Sequence, residues 1–223
     1  MYINIILIVA IIAVPLLAQL YIKSTYGKYS EIDNNQNISG FEVARKILDA
    51  NDLKSIDIVT TSGTLSDHYD PKRKVVRLSE DVFNGNSVAS MAVAAHECGH
   101  AIQDKEAYAL LRARSLLVPV VNLGTSISYY IILVGFIFQV LNLVYIGIAL
   151  TALGLLFQLI TLPVEINASK RAGIQIRELG IAGAEDQSGT KAVLTAAAMT
   201  YLAGVVASAL QVLRLILIFT RRD

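Results

Sequence analysis

Residues 116–163 read LLVPVVNLGTSISYYIILVGFIFQVLNLVYIGIALTALGLLFQLITLP and carry no charged side chain from end to end. A bilayer is crossed by about 20 apolar helical residues, so this stretch holds two crossings and the turn between them. Gln139 to Asn142 is its most polar point and marks the turn, leaving spans at Ser115–Phe138 and Leu143–Leu162. Tyr129, Tyr130 and Tyr145 suit either an interfacial belt or the interior of a helix bundle. Working outward, Ile3 to Leu20 is a further apolar run, bounded by Lys23. No Lys or Arg precedes it and no small-residue cleavage site follows it, so it reads as a retained anchor rather than a signal peptide. Pro15 within it is tolerated in a membrane helix. The last run, Ala192 to Phe219, contains Arg214, which reads as a side chain snorkelling toward the polar terminus Arg221-Arg222-Asp223 in preference to a functional intramembrane charge. The chain is thus expected to be mainly α, a multi-pass membrane protein with about four transmembrane helices.

Composition agrees. Of 223 residues, 54% are hydrophobic and 17% charged, where a soluble domain carries about 25% charged. The formal net charge of +1 excludes the basic excess of a nucleic-acid binder. Cys98 is the single cysteine, which rules out an intramolecular disulfide. Two polar segments remain: Lys23 to Arg114, long enough for a small domain, and Glu165 to Lys191, a connector with a helix-like start and a loop-like stretch from Gly180 to Gly189. Four crossings put both on one side of the membrane. Lys23, Lys28, Arg112, Arg114, Lys170 and Arg171 flank the spans there, so the positive-inside rule makes that side cytoplasmic, against the opposing Arg221-Arg222 pair.

Inside the larger polar segment, Ser39 caps a helix running to Ala50, with Glu42 placed as in a capping box. Ile56 to Thr60 reads as a strand. Leu65–Tyr69 and Lys74–Leu78 form a hairpin around Asp70-Pro-Lys-Arg. Asn84-Gly-Asn-Ser then leads into a long helix, Ser87 to Lys105. On it His96 and His100 stand four apart, one turn from each other on one face, the spacing by which two imidazoles share a zinc ion. Glu97 follows the first histidine and is placed to take a proton from a metal-activated water. The bland alternative is two exposed histidines and a solvated glutamate on an amphipathic helix. Against it, the chain has three His and two fall at this spacing. The preceding Ser-Val-Ala-Ser-Met-Ala-Val-Ala-Ala is uncharged and reads as buried, and buried His and Glu need partners that a metal supplies.

A catalytic zinc needs a third protein ligand and an open position. Glu165 is the best candidate: it lies just past Pro163, and the two-span hairpin between it and His100 returns the chain to its starting side. Its bland alternative is a carboxylate at a helix N-terminus, stabilised by the dipole. His68, beside the hairpin turn, fits three roles equally: a surface histidine, a donor to the tetrahedral intermediate, or the third ligand in place of Glu165. Tyr69 and Arg171 are lesser oxyanion candidates. Cys98 points off the ligand face and reads as a small buried residue.

Five segments, Glu-Val-Ala-Arg-Lys-Ile-Leu-Asp-Ala-Asn (42–51), Asp-His-Tyr-Asp-Pro (67–71), Val-Arg-Leu-Ser-Glu-Asp-Val (76–82), Ala-Ala-His-Glu-Cys-Gly-His-Ala-Ile-Gln (94–103) and Leu-Pro-Val-Glu-Ile-Asn-Ala-Ser-Lys-Arg-Ala (162–172), resemble the bacterial membrane neutral zinc metallopeptidases of the YugP-like family. The resemblance implies a multi-pass peptidase of the HExxH type. A weaker one is to HtpX-like and CAAX prenyl membrane proteases, whose third ligand begins a Glu-x-x-Ala-Asp pattern. Glu165 and Ala168 match that pattern, but Ser169 stands where the Asp would orient a histidine ligand.

The expected organisation is an anchor helix (1–22), a small α+β zincin-like catalytic domain carrying the HExxH helix (23–114), a two-helix transmembrane hairpin (115–163), a connector bearing the third ligand (164–191) and a final transmembrane helix with a tail (192–223). The expected function is that of a zinc-dependent metalloendopeptidase in the cell membrane. Water would be activated by Zn2+ with Glu97 as general base, His96, His100 and Glu165 as ligands, and His68 as an auxiliary catalytic residue. Its partners would be the lipid bilayer and protein or peptide substrates, membrane-associated ones included, and no nucleic acid. The alternative is a zinc-binding membrane scaffold without turnover, which would not need Glu97. A channel or transporter is disfavoured because the spans carry few ionisable residues.

Overall fold

The computed structural model describes residues 2–220, so Arg221-Arg222-Asp223, on which the reading of Arg214 partly rests, lie outside the described residues. The chain runs α1 (Tyr2–Ser30), α2 (Gly40–Ala50), β1 (Asp57–Thr61), β2 (His68–Asp70), β3 (Val75–Ser79), α3 (Glu80–Asn84), α4 (Val88–Lys105), α5 (Ala109–Ile137), α6 (Leu141–Glu178) and α7 (Ala184–Thr220). It is mostly helical. Four helices, α1, α5, α6 and α7, are long and apolar enough to cross a membrane. The described residues divide into two compact units: 2–19, 109–163 and 200–220 in one, 20–108 and 164–199 in the other.

The first unit is built from apolar helix. Its large side chains, among them Leu116, Leu123, Phe138 and Leu141, face outward, an arrangement suited to lipid and not to water. Tyr129, Tyr130 and Tyr145 are exposed, so the bundle-interior alternative does not hold for them. The α5–α6 turn falls at residues 138–140, with Gln139 in the left-handed region (φ 55°) and Val140 N–H donating to the Gly135 carbonyl at 2.9 Å. This is the usual left-handed helix stop, made here by a glutamine where glycine is the commoner residue. Gly135 admits the start of α6: a Cβ there would lie 2.9 Å from the Val144 nitrogen. Arg214 is half-buried and its Nε has no hydrogen-bond partner among the described residues.

Two features depart from the expected layout. The helix bearing Glu165 does not begin after Pro163; α6 runs through that proline as one helix of 38 residues. Glu165 is therefore a mid-helix residue, and the dipole explanation for it falls away. The loop-like stretch of the connector shortens to residues 179–183. Gly180 (φ 61°) ends α6 there, with Ile181 N–H donating to the Ile176 carbonyl at 2.9 Å. Gly189 lies inside α7.

The second unit packs α2, α3, α4 and the polar ends of α1, α6 and α7 around a small sheet of order β1-β3-β2. The expected hairpin is present as the antiparallel β2–β3 pair, with Tyr69 opposite Val76, but β2 is confined to three residues because Leu65 adopts φ 56°. β1 pairs with β3 in parallel, Val59 opposite Arg77, and the five-residue α3 follows β3 directly. The capping box of α2 is complete: Glu42 N–H donates to Ser39 Oγ (3.3 Å) and Ser39 N–H to the Glu42 carboxylate (2.7 Å). The Ser39 N–H, joined by the Ser39 hydroxyl donating to the same carboxylate at 2.9 Å, holds Glu42 below the usual carboxylate range. Ser87 caps α4, accepting from Ser90 N–H at 3.0 Å. Helix α4 is the spine of this unit. Its small residues, Ala89, Ala92, Ala94, Ala95 and Ala101, are all fully buried, which lets neighbouring elements close around it.

Candidate metal centre

His96 and His100 lie on one face of α4 with ring centroids 4.8 Å apart and planes near perpendicular. Between them stands a carboxylate from α6. Glu165 Oε2 is 3.1 Å from His96 Nε2 and 3.5 Å from His100 Nε2. One donor atom from each of the three residues falls within 4.8 Å of the others, a group able to hold a metal ion. Glu165 is 1% exposed. A carboxylate so buried needs compensation, and the two imidazoles give it.

Gly99, in the middle of the HECGH segment, explains why the two helices meet here. A Cβ at this position would lie 2.4 Å from the Ala168 carbonyl oxygen, so the bare Gly99 backbone lies against α6. Ala168 is three residues after Glu165, about one turn, which sets the carboxylate against the histidine pair. Gly99→Ala is expected to push α6 away at a cost of about 1–3 kcal/mol and to weaken zinc binding while all three donors remain. Zinc affinity and melting temperature, measured together, check this; a native affinity would show that the close approach is not needed.

The imidazoles are held from behind. His100 Nδ1 is 3.0 Å from Gln103 Oε1. The Gln103 amide donates to the Val164 carbonyl (2.8 Å) and to Asn167 Oδ1 (2.9 Å). These two acceptors fix which end of the amide faces His100. Its oxygen can only accept, so Nδ1 carries the proton and the Nε2 lone pair of the neutral ring is left for a metal. Asn167 Oδ1 also accepts from Arg171 Nε (2.7 Å), and Arg171 pairs with Glu106 at 2.6 Å. On the other ring, Ser169 Oγ is 3.1 Å from His96 Nδ1. The serine thus occupies the place where an aspartate was expected to orient the ring, and a hydroxyl performs the contact.

Two imidazole nitrogens and one carboxylate oxygen, oriented from behind and converging on one point, are the donor set of a three-ligand zinc site. The residues fit the ion. The electrostatics of the metal-free site agree: burial pushes the His100 imidazole down, but the Glu165 carboxylate, with Glu97 and Gln103, outweighs it and holds His100 above its ordinary value.

Glu97 is 7% exposed, and among the described residues no hydrogen bond or ion pair holds its carboxylate. His68 stands outside the trio. It is exposed on β2, and its Nδ1 lies 2.8 Å from the Ser66 carbonyl; in that tautomer Nε2 donates only from the imidazolium. Tyr69 and Arg171 are committed elsewhere, Tyr69 donating to Asp104 at 2.7 Å and Arg171 to Asn167 and Glu106. Cys98 is fully buried, its Sγ 3.6 Å from the Ala44 carbonyl, and burial pushes its thiol up, which suits an inert packing residue. Reasoning from sequence missed Gln103 and Asn167. Gln103 was within reach of it, since it stands three residues after His100 on the same helix face.

The profile of the family described as "Putative neutral zinc metallopeptidase" matches residues 4–220. A Bacillus subtilis (strain 168) protein, "Putative membrane protease YugP", is 42% identical over 213 residues, covering 96% of this chain and 95% of that protein. No solved structure matches the chain.

Proposed function

The chain belongs to the neutral zinc metallopeptidase family, and from that premise we propose that it is a membrane-embedded zinc-dependent endopeptidase in which His96, His100 and Glu165 hold the ion and Glu97 is the general base. The observation that carries this reading is the convergence of the three donors at 3.1 and 3.5 Å beside a buried carboxylate that nothing else engages. When bound, zinc supplies a Lewis acid that polarises a carbonyl and acidifies water. Glu97 takes the proton of the attacking water on its carboxylate and passes it to the departing amine nitrogen. Gln103 and Ser169 keep the two rings oriented through Nδ1. We assign His68 the lesser part of a substrate-contacting donor, available as the imidazolium. A binding scaffold without turnover remains the second reading, and the unengaged Glu97 disfavours it.

The test is direct. Purified protein is expected to hold about one zinc per chain and to hydrolyse a quenched peptide, losing that activity on chelation and regaining it with zinc. Turnover that survives complete removal of the metal would sink the assignment.

We further propose that the catalytic segment 23–114 and the connector 164–191 face the cytoplasm. The supporting features are four apolar helices and the basic residues flanking them on that side. Reporter fusions after Leu53 and after Gly183 are expected to report the cytoplasm and one near Leu141 the opposite side; different sides for the first two would separate Glu165 from the histidines.

A further inference from the structure

Arg171 stands on α6 six residues after Glu165, and its hydrogen bonds lead back to a metal donor. Its Nε donates to Asn167 Oδ1 at 2.7 Å and its Nη2 to Glu106 Oε2 at 2.6 Å. Asn167 Oδ1 accepts a second bond, from Gln103 Nε2 at 2.9 Å, and Gln103 Oε1 lies 3.0 Å from His100 Nδ1. Asn167 and Arg171 are four apart on α6, and His100 and Gln103 three apart on α4, so each pair shares a helix face. Glu106 is the C-cap of α4. The path leaves α4 at its end, crosses to α6 and returns to α4 at His100.

The group at the head of this path sets its direction. A guanidinium can only donate. An amide accepts at one end and donates at the other, so Arg171 turns the Asn167 oxygen toward itself and toward Gln103. A reversed Asn167 would set its N–H groups against those of both neighbours. Gln103 must then donate to Asn167, which leaves its own oxygen for His100 Nδ1. The Val164 carbonyl supports this link, accepting from the same Gln103 amide at 2.8 Å. Glu106 is 51% exposed, where an ion pair adds little stability; what the pair does is hold the guanidinium in place. On the zinc reading of the site, we propose that Arg171 is a positioning residue: acting through Asn167 and Gln103, it keeps the proton on His100 Nδ1 and the Nε2 lone pair turned toward the ion. His96 is held separately, with Ser169 Oγ 3.1 Å from its Nδ1, and serves as a control within the same site.

The experiment uses the full chain in detergent, loaded with zinc and carrying isotopically labelled histidine. Zinc affinity is measured by chelator competition, and solvent exchange of each ring N–H proton by nuclear magnetic resonance. Arg171→Leu is expected to speed exchange of the His100 Nδ1 proton about fivefold, the net worth of one hydrogen bond, while the His96 Nδ1 proton keeps its native rate. Zinc affinity should fall by about threefold to fivefold, less than the loss of about 10–100-fold for a group that contacts the ligand itself. Arg171→Lys, which can only donate, should restore most of both; Arg171→Gln, whose amide can present either end, should not. Glu106→Gln leaves Arg171 on Asn167 and should change each by about twofold at most. Native exchange and affinity in Arg171→Leu would overturn the proposal. Equal acceleration at both histidines would do so too, since a general loosening of the fold moves the two together. Should Arg171→Leu fail to fold, Arg171→Lys against Arg171→Gln decides the matter, and equal behaviour of those two counts against the proposal. Native zinc affinity in both Gln103→Leu and His100→Ala would overturn the zinc reading along with it, whereas loss of zinc in those two beside a native Arg171→Leu overturns the role of Arg171 alone.

Discussion

Glu97→Gln is expected to lower peptide hydrolysis by about 10²–10⁴-fold, the range of general-base catalysis, with zinc content and melting temperature unchanged. The substitution keeps the side chain's size in a position that is 7% exposed and removes no hydrogen bond or ion pair among the described residues. No contact in the fold depends on its charge, which acts on His100 only through space. What is lost is the ability to take a proton: an amide nitrogen does not accept one at neutral pH, and an amide oxygen is a poor base. Peptide hydrolysis needs that proton twice, first removed from water and then delivered to the amine. His68→Ala, by contrast, removes at most one donor to the developing oxyanion, about 10²–10³-fold. Turnover of a quenched peptide in detergent, with metal measured in each preparation, separates the two. Near-native turnover of Glu97→Gln would mean that the HECGH helix is not where water is activated.

Much of this was legible in the sequence because the physics concerned is local. A charge-free run that is too long for one crossing and has a polar centre must turn near that centre, and Gln139 is where it turns. Ser39 and Glu42 announce their helix start, and His96 and His100 share a face because a helix makes them do so. The misreadings come from forces that sequence does not display. Pro163 looked like a boundary, but within an apolar helix the lost hydrogen bond at a proline is tolerated, and α6 continues to Glu178. Gly189 looked like loop; it is helical, and its bare backbone admits Tyr29 and Val88, whose atoms lie 2.8 Å from where a Cβ would stand. The parallel pairing of β1 with β3 is non-local, and no turn residue signals it. The path from Glu106 through Arg171 and Asn167 to Gln103 joins α4 and its C-cap to α6; only the His100–Gln103 spacing could be seen beforehand.

Glu165→Ala is expected to reduce zinc affinity more than any change outside the two histidines. It removes one of three donors and also the only anion among them, so the ion loses both a bond and the charge that offsets its own. Losses of about 10–100-fold are typical when a group that merely orients a ligand is removed, and Gln103→Leu, which frees His100 Nδ1, should fall in that range. Glu165→Ala, His96→Ala and His100→Ala should each exceed it. His68→Ala should leave affinity untouched, because its imidazole faces Ser66 and solvent. Glu165→Gln separates charge from contact. It can still bond to the imidazoles that stand 3.1 and 3.5 Å away, so the fold should persist while the metal is held weakly. Competition titration against a chromophoric chelator ranks the whole series in one measurement. A protein in which His68→Ala loses zinc and Glu165→Ala keeps it would show that the carboxylate between the two histidines serves only to balance their charge and that the third ligand is elsewhere.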